Sequence, residues 1–219
     1  MNLIKLKNEF FKKKINKTNY IKKIYYKYHD LLFQYSDLIV KTDIQKIEIT
    51  STGVKMTSKK FGVNMVLPTQ DHRSAPLECI NFNSCEEKEL EVIMQLLPKQ
   101  GNFIDIGANI GWHSLIIAKK FKKINVYAFE PIKKTYNFLL QNIKLNSIKN
   151  INPYNFGFFN ENKKISFYTY KEGSVNASIQ NLSQRSSVIL QKSYVKIFDD
   201  FTNQNKLKVD FIKCDVEGA

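Results

Sequence analysis

Two glycines and a set of acids mark where this chain can do chemistry. In the stretch FIDIGANIGWHS, residues 103–114, Asp105 closes a short apolar run, Gly107 and Gly111 follow, and Asn109 lies between them. Glycine has no Cβ, so the chain can turn sharply out of a strand and a ligand can touch the backbone. Nineteen residues after Gly111 a second apolar run, INVYAFE, ends on Glu130. An acid at the end of the neighbouring strand is placed to accept both hydroxyls of a ribose. Together these signals point to a nucleoside-containing cofactor. The alternative is that both glycines only permit close packing of strand on helix.

Glycine spacing separates the candidate cofactors. The dinucleotide fingerprint G-x-G-x-x-G seats a pyrophosphate on a helix N-terminus and needs a third small residue for close packing. Here the run is G-A-N-I-G followed by bulky Trp112 and His113, a poor seat for pyrophosphate. S-adenosylmethionine has a ribose and no phosphate, and suits the turn better. Its sulfonium is already a good methyl donor, so the protein must align an acceptor oxygen behind the methyl group and remove its proton. Asp215 and Glu217, in VDFIKCDVEGA, are the candidates for positioning and proton removal, with helix capping as the alternative. His113, in the first turn of a predicted helix, is a further candidate base, or else a surface residue. Trp112 reads as packing, and Asn142 and Asn146 as caps that end a helix. No oxygen-ligand set is complete, so no metal is expected.

The elements that must hold these residues follow from periodicity. Residues 103–106 predict a buried strand, 110–121 a helix with Leu115, Ile116 and Phe121 inward, and 124–130 a second strand. Pro131 opens a helix with Tyr136, Leu139, Leu140 and Ile143 on one side. Such alternation predicts an α/β fold, a parallel sheet with helices on both faces and its ligand beyond the carboxyl ends of the strands. KKISFYTY, residues 163–170, predicts a hairpin strand, and EGSVNASIQ, 172–180, the loop after it. Upstream, residues 43–68 predict two or three short strands with a turn at 51–53 and a stop at Pro68. SCEEKELEVIMQLLPKQG predicts a helix with Ser84 as N-cap, Glu87 completing the capping box, and Pro98 and Gly101 at its end. Residues 1–41 carry ten lysines against three acids, interleaved with apolar residues at helical spacing. They predict one or two amphipathic helices, docked on the core or attached peripherally to an anionic membrane or polysaccharide. The expected division is a basic helical lead-in (1–42), short strands and a helix (43–100) and a cofactor-binding domain (101–219).

Composition narrows the partners. The chain of 219 residues has a formal net charge of +14, but Arg73 and Arg185 are its only arginines. Surfaces that read bases or clamp phosphates favour the flat fork of arginine, so nucleic acid is not an expected partner. Cys79, Cys85 and Cys214 form no CxxC pair, which predicts a reduced, cytoplasmic setting, with peripheral attachment at the inner membrane face as the variant. No apolar run is long enough for a signal peptide or a membrane span.

The strings FIDIGANIGWHSL, AFEP, LLQNIKLN, KIFDDF and VDFIKCDVEGA, spread over about residues 80–219, resemble the successive signatures of FkbM-type S-adenosylmethionine-dependent methyltransferases. The resemblance implies a Rossmann-like class I methyltransferase sheet. It implies that Asp105, Gly107, Asn109 and Gly111 line the methionine end of the cofactor, that Glu130 binds the ribose and that Ile132 packs on the adenine. It also implies O-methylation of a hydroxyl on a glycan, glycolipid or related natural product. The family pattern continues beyond Ala219, so the expected core is incomplete after its fourth strand, with VDFIKC as an apolar edge and weak cofactor binding. The competing reading is a non-catalytic basic adaptor that uses a degenerate methyltransferase fold to bind anionic polymer or membrane.

Overall fold

The computed structural model describes residues 2–69, 71–170, 173–178 and 188–216. Close contacts divide the chain into two compact units, Met1–Thr42 and Asp43–Ala219. The first is helical: α1 (Leu3–Phe11), α2 (Lys17–Ile24) and α3 (Asp30–Ile39), the last two joined through a π-helical turn, Tyr25–His29. Asparagine starts each of the first two helices by satisfying an orphan amide. Asn2 Oδ1 accepts the Lys5 N–H at 2.8 Å, and Asn16 Oδ1 accepts that of Asn19 at 2.9 Å. Among the described residues no helix is long and apolar enough to cross a membrane.

The second unit opens with β1 (Ile44–Thr50), β2 (Gly53–Ser58) and β3 (Asn64–Val66), antiparallel in that order, with the turn where Gly53 predicts it. A helix absent from the sequence expectations follows: α4 (Ala75–Phe82), with Ser74 at its N-cap position and Pro76 in its first turn. Next, α5 (Glu87–Leu96) starts after Glu86, not after Ser84. Asn83 and Glu86 both adopt left-handed backbone, φ 71° and 48°, to turn the chain between the two helices. Ser84 therefore lies in the link, and Glu87 pairs with the Lys60 ammonium.

The winding core runs β4 (Gly101–Ile106), α6 (Trp112–Lys120), β5 (Ile124–Phe129), α7 (Lys133–Leu145) and β6 (Ile151–Tyr154). Then come β7 (Gly157–Phe158), β8 (Lys163–Tyr170), β9 (Gly173–Ser178), β10 (Val188–Lys196), α8 (Phe198–Gln204) and β11 (Phe211–Cys214). Four parallel strands form the central sheet in the order β11-β4-β5-β6, which leaves β11 on an edge with Ile212 exposed. A second sheet has the order β7-β10-β8-β9. Its last strand corrects the loop expected at 172–180 over residues 173–178; 172, 179 and 180 lie outside the described residues. Residues 173–178 pair antiparallel with β8, because backbone pairing overrides the weak strand propensity of small polar residues.

Helices cover both faces of the parallel sheet, as predicted. Ile104, Ile106 and Phe129 share one face and pack with Phe156 and with Phe201 of α8. Asp105 points the other way, where Ser114 of α6 donates to it. The inward stripe of α7 differs from expectation: Thr135, Leu139 and Asn142 are buried, whereas Leu140 is 39% exposed. The reason is polar. Asn142 Oδ1 accepts the Val66 N–H at 2.7 Å while its Nδ2 donates to Ile110 O at 2.9 Å. Asn146 holds both backbone groups of Asn64, accepting at 2.8 Å and donating at 2.7 Å. These asparagines tie β3 to α7, and only Asn146 also occupies the helix cap. Asn142→Leu orphans the half-buried Val66 N–H and the buried Ile110 O, so we expect it to lower unfolding free energy by about 3 kcal/mol. Denaturant titration is the check, and a loss below about 0.5 kcal/mol would contradict the tie.

Candidate active site

The turn after β4 is built by hydrogen bonds that use up its own amides. Gly107 and Ala108 N–H both donate to Phe129 O, at 3.0 and 2.9 Å, and Gly111 N–H donates to Ala108 O at 2.8 Å. Asn109, with φ 50°, gives its N–H to Glu130 Oε2 at 3.0 Å. These four donors are therefore spent within the protein and do not form the open anion cradle that a pyrophosphate requires.

Both glycines are demanded by close approach. A Cβ on Gly107 (φ 76°) would lie 2.0 Å from Asp215 O, and one on Gly111 (φ 98°) 2.6 Å from Leu139 Cδ1. Gly111 thus lets α6 pack against α7, and Gly107 lets the chain leaving β11 cross over the turn. For these two positions the packing alternative has direct structural support.

Glu130 is the buried acid of this turn. Each carboxylate oxygen receives one backbone N–H, from Asn109 on Oε2 and from Ile132 on Oε1 at 2.7 Å, and the residue is 6% exposed. Two lone pairs per oxygen leave further acceptor capacity on each. Burial pushes its pKa up to about 7, against the pull of the two amides; Asp105 adds to the rise and Lys213 opposes it.

Register explains the charges beside it. Lys213 on β11 is the direct cross-strand partner of Asp105 on β4, so both side chains emerge on the same face. Lys213 Nζ lies 3.2 Å from Asp105 Oδ1 and 3.4 Å from Asp215 Oδ2, and it donates to Gly107 O at 3.3 Å. Ser114 Oγ donates to the other oxygen of Asp105 at 2.6 Å. Burial lowers the pKa of Lys213, but the carboxylates of Asp105, Asp215 and Glu86 outweigh it and the ammonium ends above its ordinary range.

One cavity gathers these parts at the carboxyl end of the parallel strands. Gly107, Asn109, His113, Glu130 and Asp215 line it, together with Glu86, Lys213 and an apolar wall of Phe158, Ile165, Phe167 and Val195. Asp105, Gly111 and Ile132 do not line it. They stand behind the wall: Asp105 is wholly buried under α6, and Ile132 packs with Phe167 and Val195. Phe167 and Ile165, not Ile132, face the cavity on that side. Glu217 lies outside the described residues. No group of three or more metal-binding side chains is placed to hold an ion among the described residues.

Sequence reasoning missed Glu86 and Lys213. A lysine inside the apolar run VDFIKC was the available signal for Lys213, whereas Glu86 carried none, because the apparent capping box drew attention to Glu87. The acids Glu78, Glu86, Glu130 and Asp215 outnumber the cations Arg73 and Lys213 on the lining, which suits a cationic sulfonium. The donor set fits S-adenosylmethionine: a buried carboxylate with spare acceptors for a ribose, no phosphate cradle and an apolar wall.

Residues 77–164 match the family model described as the TRM5/TYW2 methyltransferase domain. Among curated proteins, Methyltransferase 1 of Beauveria bassiana is 25% identical over 140 residues, covering 56% of this chain and 56% of that protein. Methyltransferase sdnD of Sordaria araneosa is 40% identical over 50 residues, 23% of this chain and 19% of that protein. The chain thus spans about half the length of the first of these relatives, and less of the second. Among solved structures, TYW2 of M. jannaschii in complex with AdoMet shares 20% identity over 52% of this chain and 43% of that one, with a TM-score of 0.29. A tRNA methyltransferase of M. jannaschii shares 16% over 52% and 30%, also at 0.29. The family and sequence matches, on a parallel α/β sheet with this cavity at its carboxyl edge, agree: the chain contains a Rossmann-like methyltransferase domain of the S-adenosylmethionine-dependent kind.

Proposed function

We propose that the protein is an S-adenosylmethionine-dependent O-methyltransferase acting on a hydroxyl of a glycan, glycolipid or related natural product. The observation that carries this reading is Glu130, a buried carboxylate on the cavity wall with one amide on each oxygen and room to accept more. In this reading Glu130 holds the ribose hydroxyls, the backbone of Gly107 and Asn109 borders the methionine end, and Phe167 and Ile165 pack on the adenine. Asp105 acts on that end indirectly, through Lys213 and Gly107. The cofactor supplies an electrophilic methyl carbon. Asp215 and His113 face the same space and provide acceptor positioning and proton removal. The hydroxyl acceptor follows from the FkbM-type motifs, and the acidic lining favours a neutral acceptor over a polyanion.

RNA is the second acceptor class. A net charge of +14 favours it, and so does the matched family model; the sequence-based expectation of no nucleic acid gains no support from these matches. Methyl transfer from radiolabelled S-adenosylmethionine to a panel of methyl glycosides, with bulk tRNA in parallel, separates the two. Label on the glycosides is the expected result. Label on tRNA alone would replace the glycan reading. Salt-sensitive polyanion binding with no affinity for S-adenosylhomocysteine would replace both with the adaptor.

A further inference from the structure

Removing a hydroxyl proton inside a cavity requires a base whose free lone pair faces the acceptor. His113 sits in the first turn of α6, 6% exposed, with Nδ1 3.4 Å from Glu86 Oε2. Glu86 reaches it from the left-handed link that precedes α5. A carboxylate beside a ring nitrogen favours the tautomer that keeps its proton there, which leaves Nε2 as the basic atom. Both side chains line the same cavity as Gly107, Asn109 and Glu130. Asp215, by contrast, has a side chain 60% exposed and engaged by Lys213 at 3.4 Å.

We infer that His113 Nε2 is the base that deprotonates the acceptor hydroxyl, and that Glu86 is the positioning residue that fixes its tautomer. This inference rests on the methyl-transfer reading above. In the step, the acceptor O–H bond breaks and its proton passes to Nε2. An oxygen lone pair forms the new O–CH3 bond, and the electrons of the broken C–S bond stay on sulfur, which becomes a neutral thioether. The imidazolium then returns its proton to solvent. Charge is conserved, because the positive charge leaves sulfur as it arrives on the ring.

The surrounding groups poise the pair. Burial lowers the pKa of His113, with Lys213 of β11 acting in the same direction and Asp105 of β4, Asp215 beyond β11 and Glu89 of α5 against it. The ring is therefore neutral and basic near pH 7. Partial burial, with 40% of the side chain still exposed, likewise pushes Glu86 up to about 7; Lys213 pulls it down, while Asp215, Glu89 and Glu78 of α4 push it further up.

The test uses the full chain with 15N-labelled histidine, and its three histidines make the spectrum simple to assign. In the wild type with S-adenosylhomocysteine we expect the His113 ring as the Nδ1–H tautomer. Glu86→Gln should mix the tautomers, and Glu86→Asp should restore the Nδ1–H form in part. With labelled cofactor and methyl glycosides, Glu86→Gln should lower kcat about tenfold and His113→Gln about 100-fold or more, with cofactor KM unchanged. A ring tautomer indifferent to Glu86→Gln would overturn the inference. So would full kcat in His113→Gln alongside a loss in Asp215→Asn. If the wild type binds no S-adenosylhomocysteine, the methyl-transfer reading falls and the base role falls with it, even where the ring still responds to Glu86.

Discussion

Glu130→Ala is expected to lower affinity for S-adenosylhomocysteine by at least about 100-fold. A carboxylate accepting two ribose hydroxyls makes two charge-assisted hydrogen bonds, each of about 1.5–3 kcal/mol, so their loss is worth two decades or more in Kd. The substitution also strips the Asn109 and Ile132 amides of their acceptor, which loosens the turn that borders the methionine end. Glutamine is no rescue, because its amide nitrogen must face one of those two N–H donors. The same residue sets a pH dependence. Its pKa is pushed up to about 7 by burial, so the ligand-free acid takes up a proton as pH falls from 8 to 6. A protonated carboxyl has lost acceptor capacity and charge. Affinity should therefore fall as pH drops below about 7, approaching tenfold per unit, and Glu130→Ala should flatten that slope. Calorimetric titration from pH 8 to 5.5, on variants shown to be folded by circular dichroism, measures both effects. Unchanged affinity in Glu130→Ala, or wild-type binding that tightens in acid, would place the ribose elsewhere.

What the sequence made legible was local. Gly107, Gly111 and Glu130 announce themselves because a strand-to-helix turn and the acid of the next strand lie within one winding unit, and neighbours along the chain are neighbours in space. The first two parallel strands follow from the same periodicity, and the edge strand VDFIKC from the family resemblance. Three-dimensional register was not legible. Asp105 looked like a cofactor ligand, yet β11, more than a hundred residues later, sets Lys213 directly beside it and makes it the buried half of an ion pair. Asn142 and Asn146 looked like caps because asparagine ends helices by default, and only the arrival of β3 from the other side gives them a backbone to bind. Glu86 depends on two left-handed residues between α4 and α5, a conformation that Asn83 predicts weakly and Glu86 not at all.

That ion pair carries the second large effect. Asp105 is wholly buried and the Lys213 side chain is 13% exposed, so deleting the carboxylate leaves a largely buried ammonium facing Gly107 O, the solvated Asp215 at 3.4 Å and the weaker field of Glu86. Breaking such a pair from one side costs about 3–5 kcal/mol, whereas replacing both partners with apolar groups of similar volume is close to neutral. Asp105→Leu should therefore destabilise the protein severely, and Asp105→Leu combined with Lys213→Met should recover most of the loss. The pH response has a definite sign. Burial alone would raise the pKa of Asp105, but Lys213, His113 and the Ser114 hydroxyl hold it below the ordinary carboxylate range. Its contribution is thus complete above that range and disappears as pH falls through the lowered value, while the raised Lys213 stays charged throughout the neutral region. Acid unfolding should be shallower in the double variant than in the wild type. Because Lys213 also holds Gly107 O, the double variant should fold yet bind S-adenosylhomocysteine more weakly. Equal stability of the single and double variants would show that the two charges are not coupled, and the turn would then need another anchor.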